Sequence, residues 1–115
     1  MEIPNLIGGR WMAPTVAAFG EVFNPSRGEV IGRVPLGGAA EVDASVQAAA
    51  RAFRSWATMP VLRRTAILFD YKRQLETHAD AVARLITREN GKTLDEARGD
   101  VRRGIEVVDF ACGIA

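Results

Sequence analysis

The sequence predicts an α/β segment in which short strands come first and helices follow. Three observations predict it. Most of the glycines and four of the five prolines fall within residues 1–38, where the chain reads as strands broken by turns. Asn24-Pro25-Ser26-Arg27-Gly28 separates two runs of strand-forming residues. From Ala39 to Ala115 the apolar residues recur at helical rather than strand spacing.

The expected strands are Asn5 to Ile7, Glu21 to Phe23 and Glu29 to Val34. Between the last two, Pro25 suits the second position of a turn and Gly28 tolerates a positive φ, so the pair reads as a hairpin. Gly8-Gly9 and Gly37-Gly38 read as turn glycines. The first helix carries Val42, Val46, Ala49, Phe53 and Trp56 on one face. Pro60 restarts the chain. A long helical pattern through Val61, Leu68, Tyr71, Leu75, Ala79, Val82 and Ile86 runs to a stop at Asn90-Gly91, with Thr77-His78 the place where it would kink. Thr93, three residues before Glu96, reads as a capping box opening the next helix.

That last helix has two stripes. Leu94, Ala97, Val101, Ile105, Val108 and Cys112 form one, and Arg103, Val107, Phe110 and Ile114 the other. At 100° per residue, Arg103 lies roughly 160° around the helix from Ile105. A helix apolar on two opposite faces calls for neighbours on both. Its pattern runs on to Ala115 with no cap or polar tail, so the 115 residues are expected to belong to a larger protein.

Composition excludes several function classes. The chain has 48% hydrophobic and 25% charged residues, as soluble globular proteins do. Fifteen basic residues against fourteen acidic ones give a net charge of +1, so nothing attracts nucleic acid or an anionic membrane. One cysteine rules out an internal disulfide and a cysteine-rich zinc site. The N-terminus lacks a basic start followed by an apolar run, and no stretch approaches the ~18 apolar residues of a membrane span. A cytoplasmic protein is expected.

Catalytic chemistry is not visible. Cys112 shares an apolar stripe with Ile105 and Val108, the setting of an inert buried thiol. His78 is the only histidine and stands among polar residues at a helix junction, so no metal site is expected. The glycine pairs fit neither a G-x-G-x-x-G nor a Walker pattern. Asp95, Glu96 and Asp100 complement the dipole at a helix start. Arg103 stands apart as the only charge on its stripe. It either pairs with Asp100 or Glu106, each three residues away, or captures a carboxylate bidentately.

Read in order, the segments resemble the aldehyde dehydrogenases. NLIGGRW is similar to their opening strand and glycine turn, and FNPSRGEVIGRVP to the hairpin that follows. EVDASVQAAARAFRSWA resembles their first helix. The stretch from Arg63 to Val101 resembles the long helices, with the family's Glu-x-Gly-Lys turn at Glu89, Asn90, Gly91 and Lys92. RRGIEVVDFACG, the Arg63-Arg64 to Phe69 run and LITRENGKT resemble the methylmalonate-semialdehyde dehydrogenase branch.

The resemblance implies an α/β aldehyde dehydrogenase fold, of which residues 1–115 are the incomplete N-terminal part of the NAD-binding domain. It implies NAD as cofactor, coenzyme A as co-substrate, a small semialdehyde as substrate and a homotetramer. It also implies a role for Arg103, at the Arg-Gly-Ile-Glu motif, in holding the substrate carboxylate. The family's catalytic cysteine, glutamate base, oxyanion asparagine and NAD contacts all fall later than this stretch. Cys112 is not in the catalytic-cysteine motif, so no catalytic or cofactor-binding residue is expected in this chain. The complete enzyme would form a thiohemiacetal and then a thioester, released by coenzyme A. Two alternatives stay open: an aldehyde dehydrogenase that releases the free acid, and a non-catalytic helical interaction module.

Overall fold

The structure, a computed structural model, describes residues 2–13 and 15–114. Its contacts divide the chain into two compact units, Met1–Thr58 and Met59–Ala115.

In the first unit, β1 (Asn5–Ile7) pairs antiparallel with β2 (Arg10–Met12). Gly8 and Gly9 connect them at φ 59° and 76°. Two successive positive φ values match the right-handed strand twist in a two-residue hairpin, and glycine reaches them without a Cβ clash. The glycine turn was legible in sequence, but β2 was not. Arg10-Trp11-Met12 is exposed throughout, so it carries no alternating pattern.

β3 (Phe19–Asn24) and β4 (Glu29–Pro35) form the expected hairpin, β3 extending the expected strand at both ends and β4 adding Pro35. Asn24 organises its turn. The Asn24 carbonyl accepts from the Gly28 N–H at 2.8 Å, and its side-chain oxygen accepts from the Ser26 N–H at 3.0 Å. Gly28 takes φ 66°. A bulge between Val22 and Phe23 shifts the register.

α1 (Ala39–Thr58) starts where Glu41 accepts the Gly38 N–H at 2.9 Å. Its apolar stripe is present but uncovered within this unit. Val42, Val46 and Phe53 are each more than half exposed, and α1 buries no residue. β1 lies against part of it, where Leu6 and Ile7 face Val42, Ser45 and Val46 across a depression of about 300 Å³.

The second unit is helical: α2 (Val61–Thr77), α3 (Ala79–Asn90) and α4 (Leu94–Cys112). The expected long helix breaks at His78, which serves as C-cap to α2 and N-cap to α3. Its N–H still donates to the Gln74 carbonyl and its own carbonyl accepts from Val82, each at 3.0 Å. Gly91 ends α3 at φ 81°, with its N–H on the Thr87 carbonyl at 2.9 Å. This left-handed stop is one that glycine adopts freely.

The capping box forms as the sequence reads. Thr93 Oγ1 accepts from the Glu96 N–H, and the Glu96 carboxylate accepts from the Thr93 N–H. Such a cap contributes on the order of 1 kcal/mol.

The core lies where α3 crosses α4. Ala83 and Ala97 are fully buried and Val101 nearly so, with Ala79, Val82, Ile86, Leu94 and Ile105 packed around them. Two alanines at the crossing let the helix backbones approach closely. Polar pairs at the rim fix which faces meet. Arg98 of α4 binds Asp80 of α3 at 2.6 Å, and Lys72 of α2 reaches Asp109 of α4 at 2.7 Å. These pairs are solvent-facing, so each contributes at most about 1 kcal/mol and acts mainly on orientation.

Three details depart from the sequence reading. Val61 and Tyr71 belong to the helical pattern of α2 yet are exposed. β2 is an additional strand. α4 ends at Cys112 with Gly113 as its C-cap, so Ile114 falls beyond the helix, and Ala115 lies outside the described residues.

Candidate carboxylate-binding site

α4 presents its two stripes very differently. Ala97, Val101 and Cys112 are buried and Leu94, Ile105 and Val108 half-buried, so the first stripe is the packed one. Val107 and Phe110 are 69% and 74% exposed, and the Arg103 side chain 81%. The second stripe therefore faces outward, with Arg103 at its N-terminal end.

Arg103 borders an open depression of about 300 Å³ whose other walls are Lys92, Glu96, Gly99 and Asp100. The four charged groups there have different commitments. Glu96 is held by the hydroxyl and N–H of Thr93, at 2.8 and 3.0 Å, which keeps its carboxyl below the ordinary range. Lys92 Nζ donates to Asp100 Oδ2, and that contact lowers the Asp100 carboxyl in turn. Arg103 Nη1 lies 3.7 Å from Asp100 Oδ1. That is within ion-pair range but too long for a hydrogen bond. Its fork of N–H donors is thus uncommitted among the described residues. Gly99, one turn earlier, adds no side chain beside it; a Cβ there would meet nothing within 4 Å.

Arg103 stands at the N-terminal end of the exposed stripe with no hydrogen bond to another side chain among the described residues. Asp100 is its expected i, i+3 partner, but only loosely. Glu106 makes no ion pair with Arg103. The roles of Lys92 and Asp100 at this site were missed in the sequence. Lys92 reads there as part of a turn and Asp100 as a dipole-complementing acid; only the turn geometry at Gly91 brings the two together.

The other sequence candidates find structural roles. Cys112 is 4% exposed at the end of α4. His78 caps two helices through its backbone. A second depression, about 320 Å³, includes Glu76, Asp80, Arg98 and Arg102. Asp80 is already shared there between Arg98 and Arg84, which hold its carboxyl below the usual range.

Helix N-termini with open N–H groups are ready sites for a dinucleotide's phosphates. The starts of α1 and α4 do not fit, because Glu41 and Glu96 fill them with the chain's own carboxylates. A Cβ on Gly37 would sit 3.3 Å from Glu41 Cβ, so that turn is closed by its own side chain. Among the described residues no group of His, Cys, Asp and Glu could hold a metal ion, and no helix is long and apolar enough to cross a membrane.

The sequence profile of the aldehyde dehydrogenase family matches residues 11–115. The chain belongs to the aldehyde dehydrogenase family. This aldehyde dehydrogenase segment is 51% identical over 112 residues to malonate-semialdehyde dehydrogenase 3 of Geobacillus kaustophilus, covering 97% of this chain and 23% of that protein. A methylmalonate-semialdehyde dehydrogenase structure from Oceanimonas doudoroffii superposes with a TM-score of 0.92 at 38% identity, over 97% of this chain and 23% of that one. A structure from Sinorhizobium meliloti 1021, described as the same kind of dehydrogenase and complexed with NAD, gives a TM-score of 0.94 at 36% identity. That match covers 99% of this chain and 23% of the other. The segment thus spans about a quarter of the length of the relatives it matches, and its strand-then-helix order belongs to the aldehyde dehydrogenase fold.

Proposed function

We propose that this chain is the N-terminal part of an NAD-dependent, coenzyme A-acylating dehydrogenase of malonate or methylmalonate semialdehyde, and that Arg103 holds the substrate's carboxylate. The observation that carries the reading is the uncommitted guanidinium of Arg103, whose neighbours Glu96, Lys92 and Asp100 are all engaged. Malonate semialdehyde differs from a simple aldehyde by one carboxylate, and a planar guanidinium binds that group through two parallel N–H···O bonds. The relatives named for such substrates support the same reading.

In this reading the described residues bind and orient, and chemistry lies elsewhere. NAD supplies the hydride acceptor in the complete enzyme, and coenzyme A the thiol that takes the acyl group. The N-termini of α1 and α4 are already filled by Glu41 and Glu96. Residues 1–115 then form part of the NAD-binding domain of a cytoplasmic homotetramer.

Product analysis tests the acyl-transfer half of the proposal. The complete enzyme, given malonate semialdehyde and NAD, is expected to form a coenzyme A thioester and to turn over slowly without coenzyme A. Release of the free acid at an unchanged rate without coenzyme A would place the chain among the non-acylating aldehyde dehydrogenases.

A further inference from the structure

We propose that Lys92 keeps the Arg103 guanidinium open to a substrate carboxylate by holding Asp100 away from it. The inference rests on Arg103 being the carboxylate-binding residue and adds a second residue that sets how strongly it binds.

Asp100 stands three residues before Arg103 on α4, where side chains are neighbours and opposite charges attract. With nothing else to bind, an aspartate there would close on the arginine and occupy the fork meant for the substrate. The structure shows a divided carboxylate instead. Its Oδ2 accepts from Lys92 Nζ, while its Oδ1 stays 3.7 Å from Arg103 Nη1.

Lys92 is well placed to do this. Its backbone is pinned between the left-handed turn at Gly91 and the capping box at Thr93, so its ammonium projects over the first turns of α4. Glu96 lies close enough to feel its charge but is hydrogen-bonded to Thr93, and the Lys92 ammonium donates to Asp100. Asp100 is also the less exposed partner, its side chain 32% accessible against 81% for Arg103. The lysine thus draws the carboxylate towards the helix start, and the arginine is left facing outward. The Lys92 hydrogen bond also lowers the Asp100 carboxyl below its ordinary range.

The test is a set of variants in the complete enzyme, with KM measured for malonate semialdehyde and for propanal. Lys92→Gln is expected to raise KM for the semialdehyde roughly threefold, the size of one surface ion pair, with a smaller change for propanal. Asp100→Asn added to it is expected to reverse the increase, and Asp100→Asn alone to lower KM for the semialdehyde. With Arg103→Ala in place, Lys92→Gln is expected to have no further effect.

Should Lys92→Gln fold poorly, Asp100→Asn alone still decides, because a rise in KM there would mean that Asp100 positions the arginine. Failure of Asp100→Asn to reverse the Lys92→Gln effect would mean that the lysine touches the carboxylate itself. Either result overturns the proposal. Failure of the underlying reading looks different: Arg103→Ala would then weaken both aldehydes equally.

Discussion

Replacing Arg103 by alanine in the complete enzyme is expected to lower kcat/KM for malonate semialdehyde by thirtyfold or more while affecting propanal far less. The guanidinium offers a bidentate, charge-assisted contact, and losing it costs on the order of 2 to 4 kcal/mol. The contact is made before the chemical step as well as during it, so the loss should fall mainly on KM. Arg103→Lys keeps the charge but not the fork, and is expected to recover only part of the loss. Arg102→Ala is the matched control. It removes a neighbouring arginine 100° around the same helix, beside the other depression. Equal losses for both aldehydes with Arg103→Ala, or a selective loss with Arg102→Ala, would remove Arg103 from the site.

The largest expected effect on stability is at Ala97. Its side chain is fully buried against Ala83 and Val101, where α3 and α4 cross. Leucine there adds three carbons to a contact built on two methyl groups, and the helices must part or the side chain must leave its rotamer. Overpacking of this kind costs typically about 1 to 3 kcal/mol. Urea unfolding of Ala97→Leu is expected to show its midpoint well below that of the unaltered protein, with the slope unchanged. Coinciding curves would mean that α3 and α4 do not cross at this residue.

Much of this arrangement was legible in the residues because it rests on local chemistry. Asn24-Pro25 and Gly28 set one hairpin, Gly91 a left-handed helix end, and Thr93 with Glu96 a capping box. Each is determined within a few residues. The packed stripe of α4, from Leu94 to Cys112, was readable from periodicity for the same reason.

What stayed hidden depended on partners distant in sequence or absent from any pattern. β2 is held by pairing with β1 across Gly8-Gly9, and its exposed Arg10-Trp11-Met12 has no period of its own. The α1 stripe has helical spacing, but spacing cannot show that Val42, Val46 and Phe53 are uncovered within their unit. Tyr71 fits the α2 pattern and faces outward. At the candidate site, Arg103 was visible as a charge on an apolar stripe. The link from Lys92 to Asp100 was not, because it spans eight residues and the turn between α3 and α4. No periodicity encodes that distance.

The stripe of Arg103, Val107 and Phe110 and the Val42, Val46 and Phe53 face of α1 are both exposed, and the proposed function makes the chain part of a longer dehydrogenase. The most direct measurement is the gene sequence through and beyond the codon for Ala115. An open frame running on for several hundred codons, through a cysteine motif of the family's catalytic kind, is the result this account predicts. A stop codon directly after Ala115, with no second chain to supply the catalytic part, would contradict it.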